Sequence, residues 1–124
     1  MTSELRVTTI ANNAGSESVD TTYVVNGSVK AWADYEQTGT HSTLASLNVA
    51  SITDTGTGRS TFSLTASISS ANYALLKSVH DGGSYIISRY YTDKTSSAAY
   101  VVSEGVNETD YDADGSVAIL GDLA

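Results

Sequence analysis

The chain has 124 residues with no cysteine and no proline, and its 14 acidic residues against 6 basic ones give a net charge of −8. That excess works against nucleic acid and anionic membrane surfaces as partners, because both carry the same sign. The lack of cysteine excludes disulfides and thiolate metal sites, and no apolar run approaches the ~20 residues that span a bilayer.

Met1-Thr2-Ser3-Glu4-Leu5 has neither the basic region nor the apolar stretch of a signal peptide. Ser, Thr and Gly are abundant while Lys, Glu and Arg are scarce, a balance that suits strands and polar turns better than helices.

In chain order, Leu5, Val7 and Ile10 suggest a short strand, and Asn12-Asn13-Ala14-Gly15-Ser16 a turn. Val19 to Val25 reads as a second extended piece with Thr21, Tyr23 and Val25 on one face. Asn26-Gly27-Ser28 is a strong turn signal. This section holds few large apolar groups and cannot build a core alone. It packs either as an edge of the same domain or as an attachment arm used between chains.

From Val29 onward the spacing predicts seven strands, near 29–36, 44–52, 59–68, 73–80, 84–91, 98–103 and 116–121. Short strands split by polar turns predict an all-β, antiparallel β-sandwich. The centre of the pattern is a hairpin from Leu44 to Ile68. In its second arm Phe62, Leu64, Ala66 and Ile68 alternate with Thr61, Ser63, Thr65 and Ser67, which is period two with one buried face. In the first arm, Leu47, Val49 and Ile52 slip out of alternation near Ser51, as a bulge would cause. Asp54-Thr55-Gly56-Thr57-Gly58 connects the arms, with Asp54 placed to bond its own backbone two residues on. Asp81-Gly82-Gly83 predicts a second, tight hairpin.

Few groups carry chemistry. Asp110-Tyr111-Asp112-Ala113-Asp114-Gly115 matches the first half of a calcium loop, in which alternate carboxylates converge and glycine allows the sharp turn. The acid needed at the twelfth position is Gly121 here, so the competing reading is a solvated acidic turn. His41 and His80 stand in no nucleophile motif, and no Gly-x-Ser-x-Gly elbow exists. Gly56-Thr57-Gly58 does not lead from strand to helix and is no phosphate loop. No cofactor is expected and no enzymatic constellation is present. Trp32 is either a plug between sheets or a carbohydrate platform. Tyr85, Tyr90, Tyr91 and Tyr100 line a core edge, a subunit contact or a glycan contact; Tyr90 and Tyr91, being consecutive, face opposite ways in a strand.

Trp32, the run Asn48-Val49-Ala50-Ser51-Ile52-Thr53-Asp54-Thr55-Gly56-Thr57-Gly58, Phe62, and Ser70-Ala71-Asn72-Tyr73 together resemble a β-domain of tailed-bacteriophage virion-surface proteins, marine ones especially. Val117-Ala118-Ile119-Leu120-Gly121 is similar to that domain's last strand, and Glu4-Leu5-Arg6-Val7 to the start of such proteins. The resemblance implies a non-enzymatic virion structural protein, either a short tail-fibre-type module or a capsid-surface fibre or decoration subunit. It implies residues 1–28 as an assembly arm carrying Leu5, Val7, Ile10, Tyr23 and Val25, with residues 29–124 as the sandwich. It also implies a homotrimer that contacts other capsid or tail proteins. The alternative is a glycan-binding module for host-surface polysaccharide. In a phage protein the acceptor sequences Asn26-Gly27-Ser28 and Asn107-Glu108-Thr109 would carry no sugar.

Overall fold

The computed structural model describes residues 3–80, 86–90, 94–105 and 109–122. It is an all-β sandwich preceded by a small N-terminal hairpin and one short helix. Strands β1 (Thr9–Ala11) and β2 (Ser18–Asp20) pair antiparallel, and helix α1 (Thr21–Gly27) follows directly. Eight strands then build two four-stranded antiparallel sheets. They are β3 (Val29–Glu36), β4 (Ser42–Leu47), β5 (Val49–Gly56), β6 (Arg59–Leu64), β7 (Ala74–Val79), β8 (Ile86–Tyr90), β9 (Ala98–Gly105) and β10 (Gly115–Leu120). One sheet runs β4-β3-β10-β7 and the other β5-β6-β9-β8.

The core is the space between the sheets. Ala31, Ala33, Tyr35, Val117 and Ile119 face Phe62, Leu64, Ala99 and Val101 across it. Large and small side chains complement one another. The Tyr35 ring meets Phe62 edge-on at 5.2 Å between centroids, and the alanines on both sheets leave room for them. Ile68 and Tyr73, from the connection between β6 and β7, close one end, with the Tyr73 hydroxyl donating to Ala98 O at 2.9 Å.

The strand expected over 44–52 is two strands in different sheets. The chain crosses between them at Asn48, which takes a left-handed φ of 56°, a conformation asparagine tolerates better than most residues. Its side chain fastens the crossing. The amide nitrogen donates to Lys30 O and Ala66 O at 3.1 and 3.0 Å, and Oδ1 accepts from Ala66 N at 2.7 Å. The slip near Ser51 is a register shift between Val49 and Ser51, as a bulge predicts. Asp54 Oδ1 accepts from Gly56 N at 2.9 Å, the local turn bond expected of it. In the second arm Phe62, Leu64 and Ile68 are buried, but Ala66 is exposed because strand geometry ends at Leu64.

Two N-terminal expectations fail. Of Leu5, Val7 and Ile10, only Ile10 lies in a strand. Residues 21–25 are helix rather than strand, so Thr21, Tyr23 and Val25 share no strand face. The β-branched residues favour extension, but a cap outweighs that preference here. Asp20 accepts from Thr22 N at 2.7 Å, satisfying a donor the first turn leaves free. The helix bonds hold the Asp20 carboxyl below its ordinary range, through the Thr22 backbone first. Thr21 Oγ1 donates back to Val7 O and Thr8 O, both at 3.0 Å, tying helix to hairpin. The strand face expected across Thr21, Tyr23 and Val25 is therefore absent. The Asp81-Gly82-Gly83 turn lies outside the described residues.

Candidate functional site

Strand alternation decides what the β4-β3-β10-β7 sheet shows to solvent. Ala31, Ala33 and Tyr35 point inward, so Trp32 and Asp34 must point out. Trp32 is thus no plug between sheets: it is 38% exposed on the outer face. The register places Leu47, Trp32, Ala118 and Leu76 side by side across all four strands, a row about 14 Å long at ordinary strand spacing. Leu47 and Leu76 are 52% and 58% exposed. A shallow groove of about 320 Å³ runs between Trp32, Leu76, Ser78, Ser116 and Ala118.

In the next row along the same face, Asp34, Ser116 and Ser78 are polar and only Ala45 is not. Ser116 Oγ donates to Asp34 Oδ1 at 2.9 Å and lies 2.9 Å from His80 Nε2, while His80 Nδ1 is 3.6 Å from Asp34 Oδ1. This triangle holds the chemical types of a nucleophile, a base and an orienting acid. Its geometry differs from a working relay, because the acid contacts the serine as well as the histidine. Ser116 also sits on a strand laddered on both sides by β3 and β7, so its surrounding backbone donors are committed and none is aimed at an oxyanion. The triangle joins β3, β10 and the residue that follows β7. A second serine–histidine contact, His41 Nε2 to Ser60 Oγ at 3.0 Å, is closed to substrate because Ser60 is fully buried.

The three carboxylates singled out for calcium fasten separate parts of the fold. Asp110 Oδ2 accepts from Arg59 Nε at 2.6 Å. Asp112 Oδ1 accepts from Gly58 N at 2.7 Å. Asp114 Oδ1 accepts from Gln37 N, Thr38 N and Thr38 Oγ1 at 2.8, 2.9 and 2.7 Å. The Thr38 backbone bond leads in holding the Asp114 carboxyl below its ordinary range. Among the described residues no three acidic or histidine side chains gather as a metal site would require.

Of the tyrosines, Tyr85 and Tyr91 lie outside the described residues. Tyr90 pairs with Val101 in the ladder, and Tyr100 stands half-buried on β9 opposite Thr61. The arm residues are all on the surface: Leu5 is 85% exposed, Tyr23 75%, and Val7, Ile10 and Val25 about half. No residue from Ser3 to Ser28 is buried.

Sequence reasoning missed Lys77. Inward between Leu76 and Ser78, it donates to the buried Ser103 Oγ at 2.5 Å, and burial pushes its amine down to about 8. Burial likewise drives the Tyr35 phenol far above its ordinary range and Tyr73 up to about 12. Only strict parity along Ala74–Val79 could have signalled it, and the consecutive leucines leave that parity ambiguous.

No helix among the described residues is long and apolar enough to cross a membrane. No family model, curated protein or solved structure matches this chain.

Proposed function

We propose that this chain is a non-enzymatic structural subunit of a tailed-phage virion surface, of the short tail-fibre or capsid fibre and decoration type, with residues 1–28 as its attachment segment. The observation that carries the reading is the contrast between a closed sandwich core and an N-terminal segment with no buried residue from Ser3 to Ser28. Exposed Leu5, Val7, Ile10, Tyr23 and Val25 acquire a purpose if another protein covers them. The resemblance of Trp32, the run from Asn48 to Gly58, Phe62 and the run from Ser70 to Tyr73 to phage virion-surface domains supplies the setting. The charge of −8 supports protein partners over nucleic acid.

Mass spectrometry of purified particles tests this. The chain should be found in them, in few copies for a tail and many for a capsid. A chain with Tyr23, Val24 and Val25 changed together to serine should fold and fail to incorporate. Absence of the intact chain from particles overturns the reading.

A second reading has one specific support. Trp32 offers a flat apolar ring beside Asp34, Ser116 and His80, the mixture a sugar ring requires of a binding surface. Binding on a glycan array that Trp32→Ala abolishes would favour it.

A further inference from the structure

The outer face of the β4-β3-β10-β7 sheet is divided along its length. One half carries Asp34, Glu36, Ser78, His80 and Ser116. The other carries Leu47, Trp32, Ala118 and Leu76 in register, with Leu120 beside Ala74 next to them, and no acid among them. The apolar half lies where β3 begins, which is where the N-terminal segment joins the sheet.

We propose that this apolar half-face receives the N-terminal segment of a second copy of the chain. The inference rests on reading residues 1–28 as the assembly element and names the surface that element engages. One chain thus carries two exposed apolar surfaces, Leu5 to Val25 on the segment and Leu47 to Leu76 on the sheet. Apolar patches of this kind mark contact sites. Charge assigns the half. Glu4, Glu17 and Asp20 against Arg6 leave the segment net acidic, so Asp34 and Glu36 repel it from the polar half while the apolar half carries no acid to oppose it.

The segment's own root keeps it from serving its own sheet. Lys30 Nζ holds Val25 O and also Ser28 Oγ, and the Ser28 amide donates to Val24 O at 3.2 Å. These contacts fix the direction in which α1 leaves β3, and in that position Leu47 and Leu76 stay more than half exposed. A neighbour's segment meets no such constraint. The resulting contact is heterologous, segment of one copy on face of the next, and such contacts close into rings or continue as open chains.

The test uses the full chain and its single tryptophan, which sits in the proposed contact. Mass by light scattering and Trp32 emission are followed together over a wide concentration range, at moderate salt to screen the charge on each copy. The mass should rise above 12.9 kDa as Trp32 emission shifts to shorter wavelength. Leu76→Glu, which damages the face, and Tyr23→Glu, which damages the segment, should each weaken association at least ten-fold while leaving the melting temperature of the dilute chain unchanged. Mixing the two variants should restore a pair, since one supplies an intact segment and the other an intact face. Segment-to-segment or face-to-face association would not be rescued by mixing and overturns the proposal. So does a chain that stays monomeric with unchanged emission. A Trp32 shift independent of concentration but lost in Tyr23→Glu would show the segment on its own sheet, which also overturns it. Leu47→Glu replaces Leu76→Glu if that variant fails to fold. None of these outcomes depends on whether particles contain the chain, so the virion reading and this contact fail separately.

Discussion

Strands β4 and β6 are each six residues long, belong to the same stretch of sequence and are rich in Ser, Thr and Leu, yet they live in opposite environments. In β6, Ser60, Phe62 and Leu64 are buried and the strand is laddered on both sides. In β4, an edge strand, nothing is buried and Leu44 and Leu47 are more than half exposed. The difference is made by the neighbours rather than by composition. β6 lies against β9 and across from Tyr35, whereas β4 loses its cover when the chain changes sheet at Asn48. The N-terminal segment stands with β4: local bonds hold its shape, and no core lies beneath it. Stability therefore belongs to the β6 region, and the surfaces left open belong to β4, the outer sheet face and the segment.

The strongest blow to the ordered side is Gly58→Ala, just before β6. Gly58 has φ +68°, and a Cβ there would lie 2.5 Å from Ser103 O and 2.8 Å from both Tyr111 N and Tyr111 O. These are backbone atoms that cannot swing aside. The same residue exchanges bonds with its surroundings, its N–H donating to Asp112 Oδ1 and its carbonyl accepting from Ser103 N at 2.7 Å. A loss of about 5 kcal/mol or more is expected, at the extreme of single substitutions. A chemical-denaturation midpoint close to that of the wild type would refute this packing.

Phe62→Ala comes next. Its side chain is fully buried against Tyr35, and removing such a ring costs about 3–5 kcal/mol. Leu47→Ala on β4 should change the midpoint only slightly, and equal losses at the two positions would erase the distinction drawn between the strands.

The sandwich and the period-two burial of Phe62 and Leu64 were legible in the sequence because alternation is a local property. So was the Asp54 turn, which needs three residues. The split of 44–52 at Asn48 was not, since it depends on Ala66 and Lys30, each eighteen residues away in sequence. Of the two readings of Trp32, size favoured the plug, but parity counted from Tyr35 puts the ring on the outer face. The helix over Thr21–Gly27 overrode β-branched propensity through one cap. The carboxylates at 110, 112 and 114 could be recognised as a group, but their separate partners at Arg59, Gly58 and Thr38 lie far away in sequence. The outer face divided into apolar and polar halves exists only once four strands are in register.

Lys77 offers a pH test of the ordered side. Its folded value of about 8 lies below the ordinary 10.5, so between those values the unfolded chain binds more protons than the folded one. Stability must then rise with pH in that interval. Below pH 8 the full cost of charging an enclosed amine is present, at most about 3 kcal/mol from the size of the shift. The clean window is pH 8 to 10, because above it Tyr73, pushed up to about 12, and Tyr35 reverse the slope. For these phenols the folded state holds its proton longer, so their contribution is present below pH 10 and falls as pH rises. Lys77→Met should flatten the rise between pH 8 and 10 and melt higher than the wild type at pH 7. A wild-type melting temperature that does not climb across this window would place the amine in water.

The smallest effect is expected on the open side, and its smallness is informative. Tyr23 is 75% exposed on a helix with no buried residue, so Tyr23→Ala removes little contact within the chain and should change stability by no more than about 0.5 kcal/mol. The helix is secured elsewhere, by the Asp20 cap and by Thr21 bonding to Val7 and Thr8, none of which involves the ring. The measurement is a thermal melt of the dilute chain followed in the sandwich through Trp32. An unchanged melt, combined with weaker association at high concentration, separates the two regions cleanly: one resists unfolding, the other meets a neighbour. A drop of several degrees in the dilute chain would mean that Tyr23 already packs on its own sandwich, and the segment would then belong with the core rather than with the surfaces open to partners.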